Sequence, residues 1–97
     1  RYEFNHIIVT QYRNGEDNIT AHSDKVDDLQ DGAPIVTLSL GGTRTLRLTD
    51  AKTDDLVEDV ELENADLTIL TAAGNTEYKH AIPREKDTDV RFSIIAR

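Results

Sequence analysis

The sequence contains no cysteine, which excludes disulfide bonds, zinc–thiolate sites and catalysis by a thiol. It contains no methionine either, so Arg1 is not a translation start, and we expect the chain to be a fragment or a processed form of a longer one. No apolar run approaches the ~18 residues that a membrane-spanning helix needs, so we expect no membrane partner. The 97 residues suffice for one domain with a single modest core.

Positive charge is also scarce. The chain has 11 Lys and Arg against 19 Asp and Glu, a net charge of −8 that disfavours extended contact with a polyphosphate. The acids are concentrated between Asp50 and Asp66, where we expect a solvated loop and strand face rather than a cation or partner site, because calcium-loop spacing is missing. We expect Arg44 and Arg47 to be solvated sheet positions, with contact to a substrate phosphate as the alternative.

Short β-rich segments follow one another along the chain, and no segment shows a long helical apolar period. The segments are "YEFNHIIVTQY", "APIVTLSL", "TRTLRLTD", "VEDVELE", "LTILTAA", "TEYKHAI" and "DVRFSIIAR". Turn signals such as Asn14-Gly15 and Gly41-Gly42 separate them. This pattern predicts seven or eight strands in an antiparallel sandwich or barrel, with at most one helical turn within residues 23–31.

Histidine occurs only three times, and one copy belongs to the triplet His22-Ser23-Asp24. Residues two apart on a strand share a face, so His22 and Asp24 can offer an imidazole nitrogen and a carboxylate oxygen to one point. His80 in "EYKHAIP" is the natural second histidine, and the resulting set leaves three positions of an octahedral iron open. The pair alone is a weak signal, and a hydrogen-bonded loop pair without metal is the alternative. His6 has no such companion and is a poorer candidate.

The last segment, "RFSIIAR", places two arginines and a serine on one strand face: Arg91, Ser93 and Arg97. The opposite face, with Phe92, Ile94 and Ala96, is expected to be core. Guanidinium groups bind planar carboxylates through a bidentate fork. The partner is either a protein carboxylate or a small dicarboxylate ligand, and the strand pattern favours neither.

Taken together, these motifs resemble the AlkB-like branch of the iron(II)- and 2-oxoglutarate-dependent oxygenases, essentially from end to end. The resemblance implies a mainly β fold, a double-stranded β-helix (jelly roll) of antiparallel strands. It implies that residues 1–97 form the catalytic core and that the family's N-terminal lid has no counterpart in them. It also implies that His22, Asp24 and His80 hold iron(II), with 2-oxoglutarate as cosubstrate and O2 as oxidant.

The resemblance extends to a cosubstrate site. Arg91 corresponds to the arginine that grips the distal carboxylate of 2-oxoglutarate, and Ser93 and Arg97 complete the family's closing pattern. Tyr12 in "TQYRNG" corresponds to a tyrosine whose hydroxyl binds the cosubstrate. Thr10 stands where the family usually has asparagine, so one hydrogen bond to the cosubstrate is expected to be weaker or lost.

The function that the resemblance implies is oxidative N-demethylation of alkylated DNA or RNA bases, with release of formaldehyde, succinate and CO2. Methylated nucleic acid is the implied partner, and we expect an intracellular monomer in the cytoplasm or nucleus. Val26, however, stands where nucleic-acid demethylases of the family often carry an acid. The same oxidative chemistry on a protein or small molecule is therefore the alternative.

Overall fold

The computed structural model describes residues 4, 6–24 and 33–97, which form eight strands and one short helix. In chain order they are β1 (Ile7–Tyr12), β2 (Ile19–His22), β3 (Ile35–Gly41), β4 (Arg44–Asp50), β5 (Leu56–Leu62), β6 (Leu67–Leu70), α1 (Ala72–Glu77), β7 (Tyr78–Ile82) and β8 (Arg91–Ala96). All strands except β2 coincide with the predicted β-rich segments, and the chain turns at Asn14-Gly15 as predicted. β3 ends at Gly41, whose φ of 93° is readily adopted only by glycine.

The strands form two four-stranded sheets, one in the order β1-β8-β3-β6 and the other in the order β2-β7-β4-β5. Neighbouring strands in both sheets pair antiparallel. Most strands that follow one another in the sequence lie in opposite sheets. This arrangement confirms the mainly β, antiparallel jelly-roll fold.

A small apolar cluster joins the two sheets. Tyr12 of the first sheet packs with Leu62 and Ile82 of the second, and Ile19 and Leu46 extend the contact. The cluster is small for a domain of this size because polar side chains, described below, occupy much of the remaining space between the sheets.

The two faces of β8 are the reverse of the expected ones. Arg91 and Ser93 are buried between the sheets, whereas Phe92 is 39% exposed on the outside. Ile94 and Ala96 lie on the same outer face as Phe92 and are only partly buried. The prediction of Phe92, Ile94 and Ala96 as core was wrong, because the space between the sheets takes the polar side chains of β8 instead.

Arg44 is also not the solvated position that its sequence context suggested. Its side chain is 0% exposed, and it donates to the carbonyl oxygens of Asn14 (3.1 Å), Asp17 (2.8 Å) and Pro83 (2.8 Å). The carboxylate of Glu85 lies 3.6 Å from its Nε. Arg44 therefore connects the β1–β2 loop to the segment that follows β7.

The acidic region behaves as predicted, as a solvated strand face with its turns. β5 is the edge strand of its sheet, and its residues 56–59 and 61 are exposed. Arg47 on β4 faces the same solvent and forms two hydrogen bonds with Asp59, at 2.9 and 3.0 Å. This part of the prediction for Arg47 is confirmed.

α1 was not predicted. It occupies residues that appeared to continue the apolar segment "LTILTAA" and to begin "TEYKHAI". The helical turn considered for residues 23–31 lies mostly outside the described residues. Within the described ranges, no helix is long and apolar enough to cross a membrane.

Candidate metal centre

The three predicted metal-binding residues meet at one end of the sheet β2-β7-β4-β5. His22, the last residue of β2, pairs directly with His80 in the middle of β7. Asp24 follows two residues after His22, beyond the end of the strand. One ligand atom from each residue lies within 4.8 Å of the others. The pairing of β2 with β7, far apart in sequence, is what brings the second histidine to the His22-Ser23-Asp24 triplet.

The geometry of this cluster is compact. Oδ1 of Asp24 lies 3.2 Å from Nε2 of His22 and 3.6 Å from Nε2 of His80. The two imidazole rings are 4.5 Å apart between centroids and tilted by 50°. Nδ1 of His22 lies 2.9 Å from the carbonyl oxygen of Thr20, which can only accept a hydrogen bond, so Nδ1 is the donor. The lone pair of Nε2 is then directed toward the cluster.

The electrostatics favour an ionised Asp24. The neighbouring His80 is the strongest influence and lowers the pKa of the Asp24 carboxyl, overcoming the opposite effect of burial. An ionised carboxylate beside two imidazoles is a donor set suited to a divalent cation. Nδ1 of His80 is buried and has no hydrogen-bond partner among the described residues.

Arg91 lies in the opposite sheet and is the most completely buried cation facing the cavity. Its side chain is 1% exposed, and its Nη2 donates to the hydroxyl of Ser39 at 2.9 Å. Its Nε and Nη1 have no hydrogen-bond partner among the described residues, and no described carboxylate lies within ion-pairing distance. Of the two alternatives left open by the sequence, the structure therefore favours a small carboxylate ligand.

The other predicted cosubstrate residues belong to β1 and β8, whose register aligns Tyr12 with Arg91 and Thr10 with Ser93. The Arg91 guanidinium lies over the Tyr12 ring, with its Cζ 5.0 Å from the ring centroid. Burial raises the pKa of the Tyr12 hydroxyl, with Arg91 opposing, so the phenol is neutral and can donate a hydrogen bond. Arg97 follows β8, and its main chain exchanges hydrogen bonds with that of His6, at 3.0 and 3.1 Å.

The His22–Asp24–His80 cluster and the residues around Arg91 open into one cavity of about 230 Å³ between the sheets. Its polar lining is short: Tyr12, His22, Asp24, Thr37, Thr68, His80, Arg91 and Ser93. Ten or so aliphatic side chains from both sheets form the rest of the wall. Thr10 and Arg97, although predicted with the cosubstrate residues, do not line this cavity. The cavity thus has the His22–Asp24–His80 cluster and the Arg91 guanidinium in a mostly apolar wall, a composition typical of small-molecule sites.

Two residues beside these groups were missed at the sequence level. Ser39 is the hydrogen-bond partner of Arg91, and Asn75 of α1 hydrogen-bonds the main chain of Asp24. A serine in the alternating strand "PIVTLSLG" carries no distinguishing signal, and Asn75 lies on a helix that was not predicted. Val26, which bears on the substrate, lies outside the described residues.

A family model described as "2OG-Fe(II) oxygenase superfamily" matches residues 1–97, the whole chain. The chain belongs to this superfamily. The superfamily is named for oxygenases that use iron(II) and 2-oxoglutarate. The donor set fits iron, since two imidazoles and a carboxylate with open positions are the arrangement of such oxygenases. The unpartnered edge of Arg91 fits a carboxylate of the cosubstrate.

The chain is also similar to AlkB-like proteins. It is 30% identical over 91 residues to the DNA oxidative demethylase ALKBH2 of Mus musculus and 28% identical over 90 residues to that of Homo sapiens. Both matches cover 86% of this chain but only 38% and 34% of those proteins, so the chain spans about a third of their length. A solved structure of OsALKBH1 superposes with a TM-score of 0.77 at 24% identity, covering 94% of this chain and 48% of that one, which supports the fold.

Proposed function

We propose that this chain is the catalytic core of a dioxygenase that removes N-methyl groups from alkylated DNA or RNA bases. The observation that carries the proposal is that the His22–Asp24–His80 cluster and the unpartnered edge of Arg91 open into the same cavity. A metal-binding set and a carboxylate-binding cation in the same cavity suit a keto acid that chelates the metal at one end and carries a second carboxylate at the other. We assign iron(II) to His22, Asp24 and His80.

The cosubstrate assignment follows the two sides of the cavity. Arg91 holds the distal carboxylate of 2-oxoglutarate, with the hydroxyls of Tyr12 and Ser93 beside it. Thr10 lies on β1 and Arg97 directly follows β8, and both are assigned to the cosubstrate site by the family pattern alone. When bound, iron(II) couples the oxidation of 2-oxoglutarate by O2, which yields succinate and CO2, to hydroxylation of a substrate C–H bond.

The protein's own contribution is to hold, orient and dehydrate the reactants. Asp24 is held anionic and the Nε2 atoms of both histidines face it, so the three ligand groups converge on one point. Arg91 fixes one end of the cosubstrate, and the aliphatic wall of the cavity excludes water from the reactants. A hydroxylated N-methyl group then releases formaldehyde and leaves the unmodified base amine.

The substrate class rests on the relatives, which are named as DNA oxidative demethylases. We propose a cytoplasmic or nuclear location, where DNA and RNA substrates are present, and a monomer. A second candidate, oxidation of a protein or small molecule, is favoured by the net charge of −8 and by the exposed acids of β5 on the edge of the sheet that carries the metal cluster. Those charges repel a polyphosphate backbone.

The test begins with succinate formation from 2-oxoglutarate in the presence of iron(II) and O2. His22→Ala is expected to abolish it, whereas His6→Ala, a change at an exposed histidine distant in sequence, is expected to leave it intact. Equal loss or equal retention in both variants would refute the assignment of the metal site.

Substrate class is tested separately with methylated DNA and RNA oligonucleotides and detection of formaldehyde. Formaldehyde release that depends on the methyl group supports the demethylase. Succinate formation that is stimulated by a basic peptide or a small molecule, with no formaldehyde from any oligonucleotide, would support the second candidate and overturn the first.

A further inference from the structure

The short helix α1 buries an unusual side chain. Helices of globular proteins normally turn an apolar stripe toward the core. In α1 the only buried residue is Asn75, which is 3% exposed. The helix has six residues, and its two alanines, Ala72 and Ala73, supply little apolar area. Apolar burial therefore does not explain why the chain forms a helix here.

Both ends of the Asn75 carboxamide are engaged by the same residue. Its Oδ1 accepts from the main-chain N–H of Asp24 at 2.8 Å, and its Nδ2 donates to the main-chain carbonyl of Asp24 at 3.0 Å. One carboxamide thus satisfies the donor and the acceptor of a single residue, as a neighbouring strand would do in a sheet.

Asp24 needs such a partner because the strand ladder stops before it. β2 ends at His22, whose pairing with His80 is the last register pair between β2 and β7. A second contact supports the same turn, since the hydroxyl of Ser23 donates to the carbonyl of Tyr78 at 3.1 Å. The junction of α1 and β7 therefore replaces the missing strand neighbour for the residues that follow His22.

α1 is built to hold Asn75 in place. Thr71 caps the helix by accepting from the N–H of Gly74 at 3.0 Å, and its carbonyl accepts from the N–H of Asn75 at 2.9 Å. The cap and the first helical hydrogen bond thus both restrain the residues around the carboxamide.

We propose that Asn75 is the positioning residue of the metal site and that it sets the affinity for the metal through the main chain of Asp24. The proposal rests on the assignment of Asp24 as an iron ligand. Asn75 does not touch the metal-binding atoms; it determines where the Asp24 carboxylate is directed relative to His22 and His80. Groups that orient metal ligands typically alter metal affinity by about 10- to 100-fold when they are removed.

The decisive variant is Asn75→Asp, which preserves the shape of the side chain. It keeps an oxygen to accept from the Asp24 N–H and places a second oxygen against the Asp24 carbonyl, where Nδ2 now donates. An added carboxylate attracts a divalent cation by itself. In protein shown to be folded by circular dichroism, weaker binding of Mn²⁺ by Asn75→Asp therefore indicates a displaced Asp24, and this is the expected result. Unchanged or tighter binding would overturn the proposal.

Asn75→Ala removes both hydrogen bonds and is expected to weaken Mn²⁺ binding by about 10-fold or more. Thr76→Ala is the matched control, since its hydroxyl donates only to the Ala72 carbonyl within the helix, at 3.1 Å. Titration of Mn²⁺ without cosubstrate, on protein shown to be folded by circular dichroism, gives the affinity. A lower melting temperature with an unchanged Mn²⁺ affinity in Asn75→Ala would assign Asn75 a purely structural role and overturn the proposal.

The same titration separates this proposal from the proposed function. If wild type binds Mn²⁺ and His22→Ala does not, the metal site stands, and the Asn75 variants alone decide the role of Asn75. If His22→Ala binds Mn²⁺ as tightly as wild type, the metal assignment fails, and the proposal for Asn75 fails with it.

Discussion

Two buried arginines lie next to one tyrosine ring, and they differ in how their hydrogen-bonding groups are used. The guanidinium carbons of Arg44 and Arg91 are 5.4 Å and 5.0 Å from the centroid of Tyr12. Arg44 donates to three main-chain carbonyls and lies beside the carboxylate of Glu85. Arg91 donates to the hydroxyl of Ser39 alone among the described residues.

This difference is the one expected between a structural cation and a ligand-binding one. Taking a guanidinium out of water is costly unless its N–H groups find acceptors. Arg44 finds three acceptors in the fold, and among the described residues only its Nε has no hydrogen-bond partner. In Arg91 both Nε and Nη1 have none, and burial lowers its pKa, the direction expected for a cation with too few partners. Extent of burial does not distinguish the two residues, since both are almost fully covered. The number of N–H groups that have a hydrogen-bond acceptor distinguishes Arg44 from Arg91.

The largest effect is expected from Arg91→Met. We expect the affinity for 2-oxoglutarate to fall by about 100-fold or more, because a carboxylate in an apolar cavity then lacks its cation. The free energy of unfolding should be unchanged or higher, because an under-partnered buried charge is removed. Calorimetric titration with 2-oxoglutarate in the presence of Mn²⁺, beside urea unfolding, measures both. Marked destabilisation of the ligand-free protein would show that Arg91 is structural like Arg44.

Arg44→Met is expected to produce the opposite pattern. Three carbonyl groups and Glu85 lose their partner at once, so the free energy of unfolding should fall by about 3 kcal/mol or more. Urea unfolding measures this loss. Under conditions where the variant is folded, its affinity for 2-oxoglutarate should remain within a few-fold of wild type. A stable variant with lost cosubstrate binding would contradict the distinction between the two arginines.

A smaller effect is expected from Ser39→Ala, which removes the one described hydrogen-bond acceptor of Arg91. A hydrogen bond to a charged group contributes about 1.5–3 kcal/mol, so the KM for 2-oxoglutarate should rise by roughly 10-fold or more. Because Ser39 acts through Arg91, kcat at saturating cosubstrate should change little. Ser39→Thr retains the hydroxyl and is the matched control. An equal rise in KM in both variants would indicate that packing, and not the hydrogen bond, matters.

Much of this arrangement could be predicted because its signals are local. Strand alternation and turn residues indicated most of the strands, and the spacing of His22 and Asp24 indicated a shared direction. The meeting of these two residues with His80 depends on the pairing of β2 with β7. The family resemblance predicted that meeting, whereas alternation along one strand could not.

The errors have a common physical origin, since they concern what lies between the sheets. A strand pattern shows two faces but does not say which one is inside. In β8 the polar face is inside, and apolar residues cover the outside together with exposed Ile7, Val9 and Ile69 of neighbouring strands. Arg44 was predicted to be solvated for the same reason. Asn75 could not be found because its helix is specified by hydrogen bonds to the turn that it supports, and not by an apolar period.

The smallest effect is expected at Arg47, which lies on the same strand as Arg44 but faces solvent. Its hydrogen bonds lower the pKa of Asp59, so the pair stabilises the fold above the ordinary carboxyl pKa of about 4 and loses this effect as the pH falls further. Both groups are exposed and screened by solvent, so Arg47→Gln should leave the melting temperature at pH 7 nearly unchanged. Any small difference from wild type should shrink as the pH falls from 7 to 3. Thermal unfolding at pH 7 and pH 3 measures this difference in melting temperature. A loss of stability approaching that of Arg44→Met would show that an arginine on this strand contributes by its position, and not by hydrogen bonding in a buried site.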